Sequence, residues 1–127
     1  MIPKFRAYDS GSLSRMYQPD EVMVGDGNIW IIDEDSVAGD WIVNNDINLM
    51  QSTGLKDKNG KEIFEGDIVD YKGRKAVVKW HGSYASFIYR FVDELKERNS
   101  EWHPLFLAYY HFEVIGNIYE NKELLDA

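Results

Sequence analysis

Apolar and polar residues alternate in short stretches along the chain, with the period of two that is typical of β-strands buried on one face. Stretches that alternate in this way, or that are rich in β-branched and aromatic residues, are residues 4–8, 21–24, 29–32, 49–53, 67–71, 75–80, 86–91, 105–110 and 114–119. Turn-forming residues at 25–28 and 72–74 predict two tight hairpins. The pattern therefore predicts about eight short strands joined by turns.

Two longer segments lack this pattern. Residues 33–46 are mostly polar around the apolar island 41–43, and we predict a long loop there. Residues 93–101 are charged and long enough for one helical turn, in which Glu94 and Arg98 are spaced i,i+4. Many short strands without a long helix predict a mainly β fold, either a small barrel or a compact sandwich with short helical turns.

The size and composition of the chain predict one globular domain over residues 1–127. Of these residues 44% are apolar, which is enough to bury one core. No apolar run reaches the roughly 20 residues that span a bilayer, so we expect no membrane partner. The sequence holds no cysteine for disulfides and starts without the long apolar stretch of a signal peptide. We therefore expect a cytoplasmic protein.

Charge is distributed unevenly within a net formal charge of −8. Residues 1–54 hold three basic and nine acidic side chains, whereas residues 71–92 hold five basic side chains and no acidic one. The net acidity disfavours nonspecific attraction to nucleic acid or to anionic membranes. A local basic and aromatic patch nevertheless makes a candidate binding site, formed by Tyr71, Lys72, Arg74, Lys75, Lys79, Trp80 and Arg90.

Two interpretations of this candidate site compete. Bases stack on aromatic rings and phosphates pair with cations, so the segment 71–92 is suited to nucleic acid. A half-buried strand needs the same alternation, with residues 75, 77 and 79 on one face and residues 76, 78 and 80 on the other. We favour the second interpretation and keep nucleic-acid binding as an alternative, to be detected by a steep loss of affinity between about 50 and 200 mM salt.

The residue types that carry catalysis and metal binding are present without the required spacing. His81, His103 and His111 are too far apart in sequence for a short metal-binding element. The acidic starts at 33–35 and 57–59 resemble calcium loops but lack the required glycine. No phosphate loop, dinucleotide fingerprint or nucleophile elbow is found. We therefore expect no metal, no cofactor and no enzymatic activity.

Three blocks of sequence identify a family resemblance. Residues 4–9 read Lys-Phe-Arg-Ala-Tyr-Asp, residues 49–69 contain Ser-Thr-Gly-Leu-Lys-Asp-Lys-Asn-Gly-Lys-Glu-Ile-Phe-Glu-Gly-Asp-Ile-Val, and residues 114–121 read Val-Ile-Gly-Asn-Ile-Tyr-Glu-Asn. In this order they resemble the YopX family of phage and prophage proteins, although Ser52 replaces an aromatic residue and Lys122 a proline. The resemblance implies a compact, mainly β protein with an SH3-like barrel element, acting in a bacterial host cell. It implies no known activity and no catalytic residues.

The central block also has a physical interpretation of its own. Gly54, Gly60 and Gly66 are evenly spaced, and we interpret them as turns that fix strand register. In the less favoured alternative, nearby carboxylates line a ligand or ion site, namely Asp57, Glu62, Glu65 and Asp67. Polar clusters in turns usually serve backbone geometry, so the structural interpretation is preferred.

These observations predict a non-enzymatic protein-binding or assembly module with an accessory role in phage biology. Strand edges and large aromatic residues allow either homo-oligomers or pairing with a partner strand, and the aromatic candidates for such a surface are Tyr71, Trp80, Trp41 and Trp102. An acidic surface that engages a basic protein, even as a mimic of DNA, is a further alternative, and its residues are Asp20, Glu21, Asp26, Asp33, Glu34, Asp35, Asp40 and Asp46. Solubility alone also explains these acidic residues.

Overall fold

The computed structural model describes residues 4–11, 13–95 and 101–126. Within them the chain is mainly β, as predicted, with a curled half-barrel sheet, further sheets and short 3₁₀ turns. The strands are β1 (Phe5–Asp9), β2 (Arg15–Tyr17), β3 (Val22–Gly25), β4 (Asn28–Ile32), β5 (Trp41–Val43), β6 (Asn48–Lys56), β7 (Glu62–Phe64), β8 (Asp67–Tyr71), β9 (Arg74–His81), β10 (Ser86–Phe91), β11 (His103–Pro104) and β12 (Glu113–Asn117). None of the described residues forms a helix long and apolar enough to cross a membrane.

The chain divides into two compact units, Met1–Gln51 and Ser52–Ala127. The single domain predicted over 1–127 stays a prediction, because compactness of two units does not decide whether they unfold together. In the first unit β1 pairs antiparallel with β2 and with the first half of β6, and β3, β4 and β5 form a second antiparallel sheet. Its apolar core is built from Ala7, Tyr17, Val22, Ile31 and Ile47.

The two predicted hairpins are present because their turn residues accept a left-handed backbone. Asp26 and Gly27 join β3 to β4 at φ angles of 53° and 75°, and Lys72 and Gly73 join β8 to β9 at 51° and 87°. Positive φ at both central residues gives the turn whose twist matches a two-residue hairpin. These are the local features of the sequence that determine register.

The second unit is organised around β9, the middle strand of a sheet with the order β11-β10-β9-β8-β12. Ala76 and Val78 pack in a core with Phe112 on one face of β9, and Val77 packs with Ile68 on the other face. The predicted half-buried strand is therefore wrong for residues 76–78, which are buried on both faces. The second face is covered by residues distant in sequence, including the 3₁₀ turn Lys122–Leu125.

The glycine-rich block forms turns at Gly60 and Gly66, as the structural interpretation predicts, whereas Gly54 lies inside β6, where the register with β7 shifts. Gly54, Gly60 and Gly66 all have positive φ, at 76°, 83° and 87°. The carboxylate of Asp57, which is only 6% exposed, accepts hydrogen bonds from the backbone N–H of Asn59, Lys61 and Val114 at 2.9, 2.8 and 2.9 Å. Asp67, 1% exposed, likewise accepts the N–H of Phe64 at 2.7 Å. These buried carboxylates hold the backbone of the turns.

Three predictions about local structure need correction or qualification. The strand expected at 105–110 is wrong, because 3₁₀ turns at Leu105–Leu107 and Tyr109–His111 follow Pro104 and leave Phe106 and Leu107 exposed. The loop expected over 33–46 is wrong for Trp41–Val43, which is β5. Within 93–101, the structure shows a 3₁₀ turn at Val92–Glu94, and residues 96–100, including Arg98, lie outside the described residues.

Candidate interaction surfaces

The predicted basic site lies on β8, β9 and β10 of the second unit, where the strand register divides its residues between the two faces of the sheet. Lys75, Lys79 and Arg90 share one face, because Arg90 lies opposite Val77 on the neighbouring strand. Arg74 and Trp80 lie on the other face. The structure therefore does not gather the seven residues on a single surface.

Arg74 is held by acidic residues that immediately follow the acid-free window. Its Nη2 donates to Asp93 Oδ1 at 2.9 Å and to Glu94 Oε1 at 3.2 Å, and its guanidinium carbon lies 3.6 Å from the ring centroid of Phe91. The hydrogen bond to Asp93, followed by the one to Glu94, raises the pKa of Arg74. This side chain is engaged within the protein and is not aimed at an external phosphate.

The other members of the predicted site differ in exposure. Trp80 is 44% exposed and meets Phe87 edge to face, with ring centroids 5.0 Å apart, while Lys79 is exposed beside it. Tyr71 is half-buried against Phe112, and Lys72 in the turn lies over the Tyr71 ring. The remaining cations are half-buried: Lys75 donates to the carbonyl of Asp126, and the buried Nε of Arg90 has no hydrogen-bond acceptor among the described residues.

Each histidine packs against aromatic rings. His81 lies 4.8 Å from Tyr84 and 4.9 Å from Trp102, measured between ring centroids. His103 stacks on Tyr89 at 5.1 Å, and His111 lies 4.2 Å from Tyr110. The described part of the chain brings no group of three His, Cys, Asp or Glu side chains together as metal ligands. The imidazoles therefore serve as aromatic packing surfaces in this fold.

A second candidate interaction surface lies in the first unit, on the sheet formed by β3, β4 and β5. The register places Met23, Trp30 and Val43 in one row across one face, and Trp41 lies on the same face. Met23, Trp41 and Val43 are 48%, 37% and 44% exposed. Several neighbouring apolar side chains on one open sheet face are typical of an interaction surface rather than of scattered surface residues.

The outer edge of β5 offers backbone hydrogen-bonding groups. The N–H of Asn44 donates to the carbonyl of Ile29, and the N–H of Asp33 donates to the carbonyl of Asp40. Alternation along an antiparallel pair then directs the backbone groups of Ile42 towards β4 and those of Trp41 and Val43 away from it. Among the described residues nothing pairs with these outward groups, so β5 is an open sheet edge.

A cavity of about 160 Å³ lies beside Ile42, the middle residue of β5. Its apolar lining comes from Leu13, Tyr17, Ile32 and Ile42, and its polar lining from Asp33, Glu34 and Asp35. Arg15 forms ion pairs with Glu21 and Glu34, and its guanidinium carbon lies 4.1 Å from the Tyr17 ring centroid.

Arg15 therefore compensates Glu34 but not the other two carboxylates of this cavity. Asp33 accepts the backbone N–H of Asp35 at 3.0 Å, and the described chain places no cation against the Asp33 or Asp35 side chain. The cavity thus combines apolar walls with uncompensated negative charge at its polar side.

The sequence predicted part of this surface. Trp41 was among the aromatic candidates and is exposed, as are Trp80 and Trp102, whereas Tyr71 is half-buried. The edge and the cavity were missed, because they depend on which strands pair. The signal was the apolar island 41–43 between polar residues, which contains two β-branched residues typical of strands.

Comparisons with known proteins cover nearly the whole chain. The family model described as YopX protein matches residues 4–126. The crystal structure of protein EF1440 from Enterococcus faecalis is similar, with 31% identity, a TM-score of 0.61 and 99% of each chain covered. No curated protein matches the chain. The match over nearly the full sequence shows that the chain belongs to the YopX protein family.

Proposed function

We propose that this YopX family member is a non-enzymatic protein-binding module with an accessory role in phage biology. The observation that carries the proposal is the exposed apolar face of the β3–β4–β5 sheet, continuous with the open edge of β5. An isolated exposed apolar residue needs no explanation, but a face with Met23, Trp41 and Val43 side by side is unfavourable in water unless something covers it. The phage context rests on the resemblance to phage and prophage proteins.

The non-enzymatic part of the proposal is supported by what the polar side chains already do. The buried carboxylates of Asp57 and Asp67 accept backbone N–H groups, and the histidine rings pack against aromatic rings. A general acid or base needs a side chain free to reach a substrate. The carboxylates hold turns instead, and the imidazoles are packed against aromatic neighbours.

Site-specific crosslinking tests the proposal. The full chain is prepared with a photoreactive benzoylphenylalanine in place of Trp41, or in place of Lys58 as a control on an exposed turn of the second unit. Both forms are irradiated in lysate of a bacterium that carries the coding sequence. We expect one protein to crosslink at position 41 and not at position 58.

Binding to the purified partner then measures the contribution of the apolar face. The double variant Met23→Ser/Val43→Ser removes two half-exposed apolar side chains, which we expect to weaken binding about tenfold, or about 1.4 kcal/mol. Equal crosslinking at both positions, or unchanged affinity of the double variant, would contradict the proposal. Salt-dependent binding of oligonucleotides without any protein partner would favour the nucleic-acid alternative instead.

A further inference from the structure

We propose that β5 binds an extended segment of a basic partner protein by strand addition, with a lysine or arginine of that segment seated in the cavity beside Ile42. This inference rests on the proposed protein-binding function and adds the binding mode and the partner chemistry. The observation behind it is the juxtaposition of an open strand edge with an apolar cavity that carries uncompensated carboxylates.

The edge determines how such a segment is oriented. Trp41 and Val43 direct their N–H and C=O groups outward, so an added strand forms its hydrogen bonds with these two residues. The partner residue opposite Ile42 then shares the face of Ile42, while its two neighbours share the face of Trp41 and Val43. Because Ile42 lines the cavity, the partner residue opposite it is the one whose side chain reaches the cavity.

The chemistry of the cavity selects a long cationic side chain at that position. Its apolar walls suit the methylene stem of lysine or arginine, and the carboxylates of Asp33 and Asp35 suit the charged head. The volume of about 160 Å³ holds one long side chain or several waters of about 30 Å³ each. The open face formed by Met23, Trp30 and Val43 suits apolar neighbours. The partner sequence is therefore apolar–basic–apolar in extended form.

Charge favours a basic partner over a second copy of this chain. Residues 1–54 hold three basic and nine acidic side chains, so two copies joined edge to edge would bring like charges together. A second copy would also place Ile42 or another β5 residue, and no cation, opposite the cavity. The partner is thus a different protein with an exposed basic and apolar segment.

Matched synthetic peptides test this chemistry directly on the full chain. The probe is acetyl-Gly-Thr-Val-Arg-Val-Thr-Gly-amide, and its control carries citrulline, a neutral residue of the same shape, in place of arginine. Amide chemical shifts of the isotope-labelled protein report the site and the affinity. We expect shifts at Trp41 and Val43 and about fivefold tighter binding of the arginine peptide, the upper range for a partly exposed ion pair.

Two pairs of variants distinguish the contribution of the β5 edge to peptide binding from that of the cavity. Val43→Pro removes an outward N–H without touching the ladder to β4, whereas Val43→Thr keeps it, so only the proline variant should lose peptide binding. Asp33→Asn/Asp35→Asn removes the two uncompensated charges of the cavity and should abolish the preference for arginine over citrulline. Asp46→Asn removes one exposed charge outside the cavity and should leave that preference intact.

The outcomes distinguish this mode from the broader function. Equal affinity for both peptides, equal binding by Val43→Pro and Val43→Thr, or dimerisation of the free chain in sedimentation at low salt would overturn strand addition by a basic segment. If the protein crosslinked at position 41 still binds Val43→Pro and Asp33→Asn/Asp35→Asn normally, the protein-binding function stands and only the mode is wrong. Loss of peptide binding in Val43→Pro, together with loss of the arginine preference in Asp33→Asn/Asp35→Asn and no such change in Val43→Thr or Asp46→Asn, supports both the function and the mode.

Discussion

Truncation of Asp57 tests how the turn between β6 and β7 is held. In Asp57→Ala three backbone N–H groups lose a carboxylate acceptor: those of Asn59 and Lys61 in the turn and that of Val114 at the start of β12. A hydrogen bond to a charged group contributes about 1.5–3 kcal/mol when its loss leaves the partner unsatisfied. The exposed turn residues regain water, so the sum is smaller than three such bonds, and we expect a loss of about 3–4 kcal/mol.

The more conservative variant Asp57→Asn distinguishes the contributions of the two carboxylate oxygens. In Asp57→Asn the amide oxygen still accepts the two N–H groups of the turn, but an NH₂ group faces the N–H of Val114 in place of Oδ2. We expect a loss of about 2 kcal/mol, because one bond is lost and two donors are left opposed. The order of stability is therefore wild type, Asp57→Asn, then Asp57→Ala.

Urea unfolding followed by far-ultraviolet circular dichroism measures these differences, and hydrogen exchange at Asn59 and Val114 localises them. Asp46→Ala is the control, since it removes the same charge from an exposed side chain that makes no hydrogen bond or ion pair in the described structure. If the free energy of unfolding falls by less than about 1 kcal/mol in Asp57→Ala, or by the same amount in Asp46→Ala as in Asp57→Ala, the carboxylate of Asp57 does not hold this turn.

Three further outcomes follow from the described contacts. Asn117→Ala removes a 6% exposed side chain whose Oδ1 accepts two backbone N–H groups, and urea unfolding should show a loss of about 2 kcal/mol. Lys72→Asn should raise the melting temperature slightly, because asparagine tolerates the φ of 51° better than lysine. Burial raises the pKa of Tyr89, so wild type should lose stability as the pH rises above about 10, and Tyr89→Phe should lose less over the same range.

The features that the sequence predicts well are those determined by neighbouring residues. Asp26, Gly27 and Gly73 suit the left-handed backbone of their turns because of their own chemistry, and the strands that these turns join follow in register. Features determined by distant residues were missed. Val77 is buried because Leu124 and Leu125 cover its face, and their position is not encoded near β9. Alternation in one strand cannot reveal what covers the other side.

The candidate sites show the same division. Residue type identified Trp41 as an aromatic candidate, and the structure shows that it is exposed, but the cavity beside Ile42 depends on Leu13 and Tyr17, which the fold brings there from another part of the chain. The basic window 71–92 appeared uniform in sequence. In the fold its residues are split between two faces, and Arg74 pairs with Asp93 outside the window. A charge count along the sequence does not show which cations are already paired.

The acidity of residues 1–54 and the open edge of β5 have a joint physical consequence. An exposed edge strand with apolar side chains pairs readily with other strands, including those of identical chains. Negative charge on both sides of β5, from Asp33 and Asp35 before it and Asp46 after it, makes that self-pairing unfavourable. The carboxylates of Asp33 and Asp35, which line the cavity, also attract a cationic segment. A neutral surface would leave the edge open to any strand, so the acidic residues contribute selectivity as well as solubility. Because salt screens these charges, raising the salt concentration should weaken binding of the basic peptide and favour self-association of the chain.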